Sequence, residues 1–439
     1  MKKYAVCGFS VRALAQYVVP LIGIPELPEY GDFSKYGKIV AALDVDTERI
    51  KIFNERQKTS IPAYSPEEFE KMIKETKPDA LIVAGVDYTH AEYTIKGLKH
   101  NLDIIVEKPM TITAQQAREV LEAEKKSRGR VIVTFNYRYM PAHKYIKKMI
   151  MDGAVGKITN IEFIYNLDTW HGSSYFKRWN RSRQFSGGLS IHKSCHHFDL
   201  INWLVDDIPE IVFAFGALNY YGPNSPFNPQ KKSKRKLTTQ EIKKRCPYYL
   251  RWEGETIPLP ESKHLKVYKD TFYLPYKVQY PDELYLYDED IDIEDTYSAA
   301  IKYHSGASMT YSFNASTPWE GYILAINGTG GRIETMHVST SSDRCPFPKP
   351  ERQTVTYIPL FGTRQVHDID VVVGGHGGSD HVIKHDIFAK ETEESKKLHI
   401  CAKSIDGAYA VAIGEAVWKS AKSGNPIKIS ELLTFSHSG

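Results

Sequence analysis

The stretch Tyr4-Ala5-Val6-Cys7-Gly8-Phe9-Ser10-Val11-Arg12-Ala13 decides the fold class, because an apolar strand runs through a glycine directly into a helix-like segment. Four more apolar segments follow in the first third of the chain, each after a helix-like segment: 39–43, 80–84, 104–106 and 131–135. Strands that alternate with helices predict a parallel sheet with helices on both faces. The segments are apolar throughout, which agrees with burial on both sides. We therefore predict an α/β fold with a doubly wound parallel sheet in this part of the chain.

The turn after the first strand is where such a sheet holds the pyrophosphate of a dinucleotide, on the N-terminus of the next helix. Gly8 supplies a tight turn, but Ser10 and Ala13 stand where the second and third glycines of the dinucleotide fingerprint are expected. Taken alone, these residues are explained equally well by an ordinary strand–helix turn. Asp44 strengthens the dinucleotide interpretation, because a carboxylate at the end of the second strand accepts both ribose hydroxyls and repels a 2′-phosphate. This favours NAD over NADP, with a helix-start role for Asp44 or Asp46 as the alternative.

Composition excludes several classes of protein. The 439 residues are 42% hydrophobic and 25% charged, which are ordinary globular values and exclude a mainly disordered, collagen-like or coiled-coil chain. The 57 Lys+Arg and 53 Asp+Glu residues leave a net charge of +4, which is too small to indicate a nucleic-acid partner. The length predicts two or three domains with a large buried core.

Cysteine use and the N-terminus indicate a reducing compartment. The five cysteines are far apart and form no CxxC pair, which argues against a disulfide framework or a thiolate zinc site. The uncharged run 13–25 contains Pro20 and is far shorter than the roughly 20 residues that span a bilayer. Arg12 interrupts the apolar N-terminal stretch, and no small-residue cleavage site follows it cleanly. We expect a soluble, cytoplasmic protein with no membrane partner.

Two motifs in the middle of the chain carry candidate chemistry. Val106-Glu107-Lys108-Pro109 places a lysine at the end of a parallel strand, which is the edge where doubly wound sheets bind their ligands. The segment Gly187–Asp199 begins with two glycines and continues into an amphipathic helix. His192 and His196 are four residues apart, so we expect both on one face of that helix.

Aromatic residues and arginines precede the histidine segment. Such side chains stack on the apolar face of a sugar ring and bind its hydroxyls, or a carboxylate or sulfonate group. The candidates are Trp170, His171, Tyr175, Arg178, Trp179, Asn180, Arg181 and Arg183. A solvated basic loop is the alternative. The glycine-rich segment 374–380 is a further candidate for a close approach to a ligand, although an ordinary turn explains it as well.

Residues 218–294 are predicted to form an insertion. A basic run at 231–236 lies near its start and an acidic stretch at 282–295 lies at its end. The basic run alone would permit an RNA or membrane patch, but the acidic stretch favours a self-complementary, solvated lobe. The segments 296–303, 307–313 and 322–327 then read as strands of an antiparallel sheet.

In their order and spacing these features resemble the glucose–fructose oxidoreductase, inositol dehydrogenase and MocA (Gfo/Idh/MocA) family. The resemblance runs along nearly the whole chain and rests on the Gly8 turn, Asp44, 84–90, Glu107-Lys108-Pro109, Phe135-Asn136-Tyr137-Arg138, 153–158, the His196 helix and Asp406-Gly407. It implies an N-terminal Rossmann domain, residues 1–130, followed by an α+β domain, residues 131–439, with a large, mostly antiparallel open sheet. In the family that sheet often forms the oligomer interface, so we expect a homodimer or homotetramer.

The resemblance also assigns catalytic roles. Lys108 would hydrogen-bond the substrate hydroxyl and lower its proton affinity, and His196 would take the proton, because a base with a pKa near neutrality suits that work. This chain departs from the family at His192, where an aspartate is usual, and at Ser194, which replaces a common glycine. The proton acceptor is therefore open between His192 and His196. Asp199 is interpreted as an acceptor for a ring N–H or as a helix contact.

The cofactor and substrate sites follow from the same resemblance. The predicted NAD-binding residues are Gly8, Phe9, Ser10, Val11, Arg12, Asp44, Gly85, Val86, His90, Glu107, Lys108 and Asn136. The predicted substrate-binding residues are Arg138, Trp170, Tyr175, Arg178, Trp179, Lys193 and His196. No metal site is predicted, although two histidines four residues apart can chelate zinc, with His171 or His376 as a third ligand. The histidines could also be hydrogen-bonded residues at a domain junction.

The sequence thus predicts an NAD-dependent oxidoreductase that removes hydride from a secondary hydroxyl of a sugar, glycoside or cyclitol. One alternative keeps the site but predicts an NAD-dependent glycosidase, in which transient ring oxidation permits elimination with no net redox change. The other alternative is a binding or sensor protein that retains the nucleotide but has lost catalysis. In each case the expected partner is a carbohydrate-like small molecule.

Overall fold

The computed structural model describes residues 1–254, 262–275, 285–339, 347, 351–372 and 378–434. The strands, in chain order, are β1 (Lys2–Cys7), β2 (Gly37–Leu43), β3 (Ala63–Tyr64), β4 (Ala80–Val83), β5 (Asp103–Val106), β6 (Val131–Val133), β7 (Ile158–Asp168), β8 (Pro209–Ala217), β9 (Thr296–Tyr303), β10 (Ser308–Thr317), β11 (Gly321–Gly328), β12 (Gly331–Val338), β13 (Arg352–Pro359), β14 (Gln365–Asp370), β15 (Ala402–Lys403) and β16 (Ile427–Lys428).

The α-helices are distributed between and after these strands. They are α1 (Val11–Ala13), α2 (Val19–Ile22), α3 (Thr47–Gln57), α4 (Phe69–Thr76), α5 (His90–Lys99), α6 (Ala114–Lys125), α7 (Pro141–Met151), α8 (Thr169–Phe176), α9 (Arg183–Ser186), α10 (Leu189–His192), α11 (Cys195–Val205), α12 (Thr239–Arg245), α13 (Pro247–Gly254), α14 (Lys263–Phe272), α15 (Ser379–Phe388), α16 (Glu393–Lys397), α17 (Ser404–Ser423) and α18 (Ile429–Leu432). A π-helical segment, Leu14–Val18, joins α1 to α2, so the first helix runs on through Ile22.

The first sheet confirms the predicted Rossmann architecture. Within the described ranges it has seven strands in the order β15-β6-β5-β4-β1-β2-β3, all parallel except β15. The chain moves outward from β1 to β3 and returns to β4 on the other side of β1. The carboxyl ends of β1 and β4 therefore form the topological switch point, where open α/β sheets bind ligands. Two-residue strands such as β3 are too short to carry a sequence pattern.

The second sheet is large and mostly antiparallel, as predicted. Its order over the described residues is β14-β13-β12-β11-β7-β10-β9-β8-β16, with one parallel pair between β7 and β10. Along β9 buried and exposed residues alternate, because one face of the sheet packs against helices and the other faces outward. The predicted boundary at 130/131 falls just before β6, which belongs to the first sheet.

The segment predicted as an insertion lies between β8 and β9, which are paired neighbours in the second sheet. The carboxylate of Asp295 joins the two ends of this segment, because it accepts hydrogen bonds from the backbone amides of Asn219, Tyr220 and Tyr221 at 2.7–3.0 Å. The far part of the segment reaches the first domain, where Phe272 packs on the ring of Tyr30 with 5.0 Å between centroids.

The charge pairing predicted within the insertion is wrong for the acidic residues that the structure describes. Asp288 and Asp290 bind the buried Arg181, and Glu294 lies 2.7 Å from Arg183. In the basic run, Arg235 instead binds Glu241, a residue close to it in sequence. Arginine presents several donors in a fixed fork, so the buried guanidinium of Arg181 attracts two carboxylates at once.

A second connection to the first domain comes from α15. Its Phe388 packs edge-on against Tyr4 at 5.5 Å and against Tyr17 at 6.3 Å. The same helix places Lys384 so that its amine donates to the backbone carbonyl of Tyr30 at 2.7 Å. In the parts of the chain that the structure covers, every helix is too short or too polar to cross a membrane.

We expect Asp295→Asn to lower the free energy of unfolding by about 1–3 kcal/mol, because at least one buried amide loses its acceptor. Urea unfolding followed by circular dichroism measures the change. Asp152→Asn, at an exposed position, is the matched control and should stay within about 0.5 kcal/mol of the wild type. Equal unfolding midpoints for the two variants would contradict the anchoring role of Asp295.

Candidate active site

The turn after β1 is packed against the end of β4 so closely that a side chain is excluded. Gly8 has φ +91°, and a Cβ there would collide with the backbone of Gly85 and Ala84. Ser10 caps the following helix, since its hydroxyl accepts from the amide of Ala13 at 3.1 Å and donates to the carbonyl of Ala84 at 2.8 Å. The hydroxyl proton of Ser10 is thus occupied within the chain. The groups of this turn that can bind a phosphate are its backbone amides and the start of the helix.

Asp44 is fixed at the end of β2. Its carboxylate accepts from the backbone amides of Phe9 at 2.6 Å and Asp46 at 2.9 Å, and the residue is 6% exposed. Burial raises the pKa of Asp44, and these two amide hydrogen bonds oppose the shift. The geometry brings Asp44 beside the glycine turn, as the sequence predicted for a ribose-binding carboxylate.

Arg12, Glu107 and Asn136, all predicted to bind the cofactor, are joined in one chain of contacts through Asp380. Glu107 accepts from the guanidinium of Arg12 at 2.8 Å and from the hydroxyl of Tyr17 at 2.7 Å. Although burial opposes it, Arg12 holds the pKa of Glu107 below its usual value. Asp380, at the start of α15, accepts from Arg12 at 3.2 Å and from the amide of Asn136 at 2.6 Å.

Asp380 belongs to the glycine-rich candidate segment 374–380, whose residues 374–377 lie outside the described residues.

His90, predicted to bind the cofactor, contacts two backbone carbonyls. Its Nδ1 lies 2.7 Å from the carbonyl oxygen of Pro109 and its Nε2 lies 3.3 Å from that of Gly85. The ring is buried and bridges the ends of β4 and β5. Both ring nitrogens lie against backbone carbonyls, so the ring positions the loop that carries Lys108.

Lys108 and His192 meet at the carboxyl edge of the first sheet. The amine of Lys108 donates to the carbonyl oxygen of His192 at 3.1 Å. Burial lowers the pKa of the Lys108 amine. A lysine whose charged form is disfavoured by its surroundings shares its proton readily with a nearby oxygen.

Asp87 and His192 form a histidine–carboxylate pair. Nδ1 of His192 bonds Oδ2 of Asp87, and its Nε2 faces the side-chain amide of Asn180 at 3.3 Å. Burial lowers the pKa of His192, and the charge of Asp87 opposes the shift. Sequence reasoning missed Asp87. The signal was present, because Asp87 follows β4 at the same edge as the motif at Lys108.

His196 and its neighbour are packed among aromatic rings. His196 stacks on Tyr137 with 4.6 Å between centroids and an angle of 15°. His197 bonds the hydroxyl of Tyr311 at 2.9 Å and stacks on Tyr165 at 4.1 Å. The structure thus separates the two predicted proton acceptors, with His192 on a carboxylate and His196 against a tyrosine face.

A second cluster lies beside His192. Glu320 accepts from the hydroxyl of Tyr165 at 2.9 Å, bonds Nδ1 of His171 at 2.9 Å, and lies 3.6 Å from the amine of Lys193. The hydroxyl of Tyr175 completes it, 2.9 Å from Nε2 of His171. Although burial opposes it, the nearby Tyr137, Tyr175 and Glu320 together raise the pKa of Lys193.

Two of the predicted aromatic residues, Tyr175 and Trp179, lie beside His192. The rings of Tyr175 and Trp179 meet that of His192 edge-on, at 5.2 and 5.7 Å. The amide of Trp170 is used in the N-cap of α8 by Asp168, at 2.8 Å. Arg178 is exposed.

The prediction that Arg138 binds the substrate is not supported. Its guanidinium forms a two-pronged ion pair with the carboxylate of Asp199, one prong at 2.8 Å, and both residues are buried. Asp406 lies 3.3 Å from the same group. Asp199 therefore serves Arg138 and not a ring N–H. The planar guanidinium favours such bidentate pairing. The pair holds α11 to the segment before α7.

For the zinc alternative, the structure describes one of the two candidate third ligands. His171 binds Glu320 and Tyr175, whereas His376 lies outside the described residues.

Comparison with known proteins identifies both halves of the chain. Residues 3–135 match the family model "Oxidoreductase family, NAD-binding Rossmann fold", and residues 147–429 match "Oxidoreductase family, C-terminal alpha/beta domain", the two Gfo/Idh/MocA models. YteT of Bacillus subtilis (strain 168), provisionally named an oxidoreductase, is 45% identical over 437 residues, covering 98% of this chain and 99% of that protein. Inositol 2-dehydrogenase of Rubrobacter xylanophilus is 28% identical over 185 residues, covering 41% and 48% of the two chains.

Solved structures share the fold at low identity. Levoglucosan dehydrogenase in complex with NADH superposes with a TM-score of 0.64 at 16% identity, covering 98% of this chain and 99% of that one. Aldose-aldose oxidoreductase from Caulobacter crescentus, complexed with glycerol, gives 0.62 at 15% identity, covering 97% and 99%. With both family models matched in order and a full-length relative at 45% identity, the chain belongs to the Gfo/Idh/MocA oxidoreductase family.

Proposed function

We propose that this protein is an NAD-linked oxidoreductase that removes hydride from the carbon of a secondary hydroxyl in a sugar, glycoside or cyclitol. The observation that carries the proposal is the meeting of Lys108 with the Asp87–His192 pair at the switch-point edge of the Rossmann sheet. The names of inositol 2-dehydrogenase and levoglucosan dehydrogenase support a polyhydroxylated substrate. In this proposal residues 1–130 bind NAD and residues 131–439 bind the substrate.

The residues of the first domain fit a dinucleotide. Gly8 lets the turn after β1 pack directly on the backbone of Gly85, and the side-chain-free backbone of this turn forms a cradle at the start of a helix whose amides favour a pyrophosphate. Asp44 offers a carboxylate for the ribose hydroxyls, which supports NAD over NADP. When bound, NAD supplies the hydride acceptor. The remaining predicted cofactor contacts (Phe9, Ser10, Val11, Arg12, Val86, Glu107, Lys108 and Asn136) surround this cradle in the proposal.

Lys108 acts on the substrate oxygen. Its amine donates a hydrogen bond to the hydroxyl that loses its proton and stabilises the negative charge that develops there. Burial lowers the pKa of Lys108, so this proton is held less tightly than that of a solvated lysine. Glu107, fixed by Arg12 and Tyr17, holds the strand end from which the lysine projects.

His192 takes the hydroxyl proton in this proposal. Asp87 accepts a hydrogen bond from the Nδ1–H of His192, so Nε2 carries the lone pair. Because burial lowers the pKa of His192, the ring is neutral at neutral pH and ready to accept a proton. Asp87 then stabilises the imidazolium that forms. His196, the family position for this role, is the alternative acceptor, and the variants below decide between them.

Tyr175, Trp179 and Lys193 border His192 and support a substrate with an apolar ring face and several hydroxyls. Trp170, Arg178 and His196 remain proposed contacts.

The outer face of the second sheet exposes Ile164, Phe215, Ile323 and Met336, which supports a homodimer or homotetramer formed through that sheet.

We expect His192→Asn to lower kcat/KM by at least about 100-fold, the usual scale for a lost acid–base group, and His196→Asn to have a much smaller effect. NADH formation with a panel of methyl glycosides, levoglucosan and inositols measures both. The opposite ranking of the two variants would reassign the base to His196.

We expect the acid limb of the wild-type pH profile to lie at a lower pH than an ordinary histidine would give, because protonation of His192 removes the base and burial lowers its pKa.

We expect Asp44→Ala to reduce the preference for NAD over NADP by roughly tenfold or more, because the repulsion of a 2′-phosphate is lost. Fluorescence titrations with NADH and NADPH measure the two dissociation constants. Asp44→Asn keeps an acceptor for the Phe9 amide and removes the charge, so it separates repulsion from loss of structure. Unchanged selectivity in both variants would count against this role of Asp44.

A further inference from the structure

Part of the insertion lies on the first domain, beside the nucleotide turn. This part, residues 262–275, contains α14, and we call it the strap. The strap packs along α3, the helix that begins just after Asp44, although by sequence it belongs to the second domain. Ser262 caps the start of α14, since its hydroxyl accepts from the amide of Leu265 at 3.0 Å. The second domain thus contributes a structured segment to the surface of the first.

The strap is held mainly by the end that approaches the turn after β1. Phe272 and Leu274 are 5% and 8% exposed, and they belong to the same cluster of buried side chains as Phe9. At the start of α14 the amine of Lys263 lies 3.1 Å from the carboxylate of Glu26, but this ion pair is exposed. Burial of two large apolar side chains contributes far more than an exposed ion pair. Docking of the strap therefore depends on its last few residues.

One buried arginine joins the strap to the nucleotide turn. Arg49 lies in the first turn of α3 and is 5% exposed. Its Nη1 donates to the carbonyl oxygens of Leu274 at 3.2 Å and Pro275 at 3.4 Å. Its Nη2 donates to the carbonyl oxygen of Phe9 at 3.2 Å. Because both nitrogens belong to one planar guanidinium, the strap and the turn are held at a fixed separation.

The turn that Arg49 holds also fixes the carboxylate expected to bind the ribose. The amide of Phe9 donates to Oδ2 of Asp44 at 2.6 Å, so Asp44, Phe9 and Arg49 form one chain of contacts that ends at the strap. Burial raises the pKa of Asp44, and its amide hydrogen bonds and the charge of Arg49 oppose the shift. The position and charge of Asp44 are thus linked to a segment of the second domain.

A second arginine on the same helix provides a comparison. Arg56, near the end of α3, donates to the carbonyl oxygens of Asp270 at 3.4 Å and Tyr273 at 3.2 Å. It is exposed, and α3 runs away from the carboxyl edge of the sheet, so Arg56 lies far along the helix from the nucleotide turn. Both arginines hold the strap, but Arg49 holds the turn as well.

We propose that the strap is part of the nucleotide site, so that its docking on Arg49 and binding of the adenosine half of the dinucleotide stabilise each other. Arg49 is a positioning residue, which acts on the nucleotide through Phe9 and Asp44. The proposal rests on the proposed function, because it concerns the NAD that this function uses. By linkage, the factor by which the docked strap raises nucleotide affinity equals the factor by which bound nucleotide favours the docked strap.

The test uses the full-length protein with NADH and ADP-ribose, which carry the same adenosine half. Fluorescence titration gives the dissociation constant of NADH, and calorimetry gives that of ADP-ribose. Hydrogen–deuterium exchange with mass spectrometry follows the strap with and without each nucleotide. Arg49→Gln removes the link between the strap and the turn, and Phe272→Ala weakens docking from the side of the insertion. Arg56→Gln is the matched control, and circular dichroism checks that each variant is folded.

We expect saturating ADP-ribose to slow exchange in the wild-type strap at least about fivefold. Arg49→Gln and Phe272→Ala should each raise the dissociation constants of both nucleotides by at least about fivefold, and in Arg49→Gln saturating nucleotide should no longer slow exchange in the strap. Arg56→Gln should keep the slowing, with dissociation constants within about twofold of the wild type, because its hydrogen bonds are exposed.

Two results would overturn the coupling and leave the proposed function standing. One is exchange in the wild-type strap that neither nucleotide changes, a measurement that needs no variant to fold. The other is a loss of affinity in Arg49→Gln that is absent or is matched by Arg56→Gln. A wild type that binds neither NADH nor ADP-ribose would overturn the coupling and the proposed function together.

Discussion

The ion pair between Arg12 and Glu107 is the contact on which the rest of the site depends. Arg12 lies at the start of the helix after β1 and Glu107 follows β5, so one half-buried contact fixes the nucleotide turn relative to the loop that carries Lys108. Asp380 connects this contact to the second half of the chain, because it binds both Arg12 and Asn136. An arginine with its donors in a fixed fork can serve two carboxylates at once, which a lysine could not do with the same geometry.

The acid–base groups are arranged around this fixed edge. His192 has Asp87 as its carboxylate and His171 has Glu320, and the ring of Tyr175 stands between the two histidines. Each pair fixes one tautomer, so each leaves a single nitrogen for proton transfer. The site therefore holds two histidine–carboxylate pairs, one on either side of Tyr175.

The sequence could predict the architecture because the deciding signals are local. Buried parallel strands are apolar along their whole length, and the order of strands and helices leaves few topologies. The position of Asp87 at the carboxyl edge could be predicted from the end of β4, but its partner and that of Arg138 could not, because they depend on which side chains meet across the fold. Arg138 lies in a family motif but meets the buried Asp199, whereas Asp87 carries no motif of its own and gains its role from His192. The charges of the insertion were likewise assigned by proximity in sequence, although their partners lie elsewhere.

The central claim is that the edge at Lys108 carries hydride chemistry. Transfer of deuterium from the carbinol carbon of a labelled glycoside or cyclitol to the nicotinamide ring, followed by mass spectrometry of the cofactor, tests it most directly. The account predicts a labelled cofactor with the wild type and at least about a hundredfold slower labelling with Lys108→Ala when both proteins are saturated with NAD. Labelling that is equally fast in Lys108→Ala, or a wild type that binds NADH yet labels no cofactor with any probe, would contradict it and favour a nucleotide-retaining binding protein.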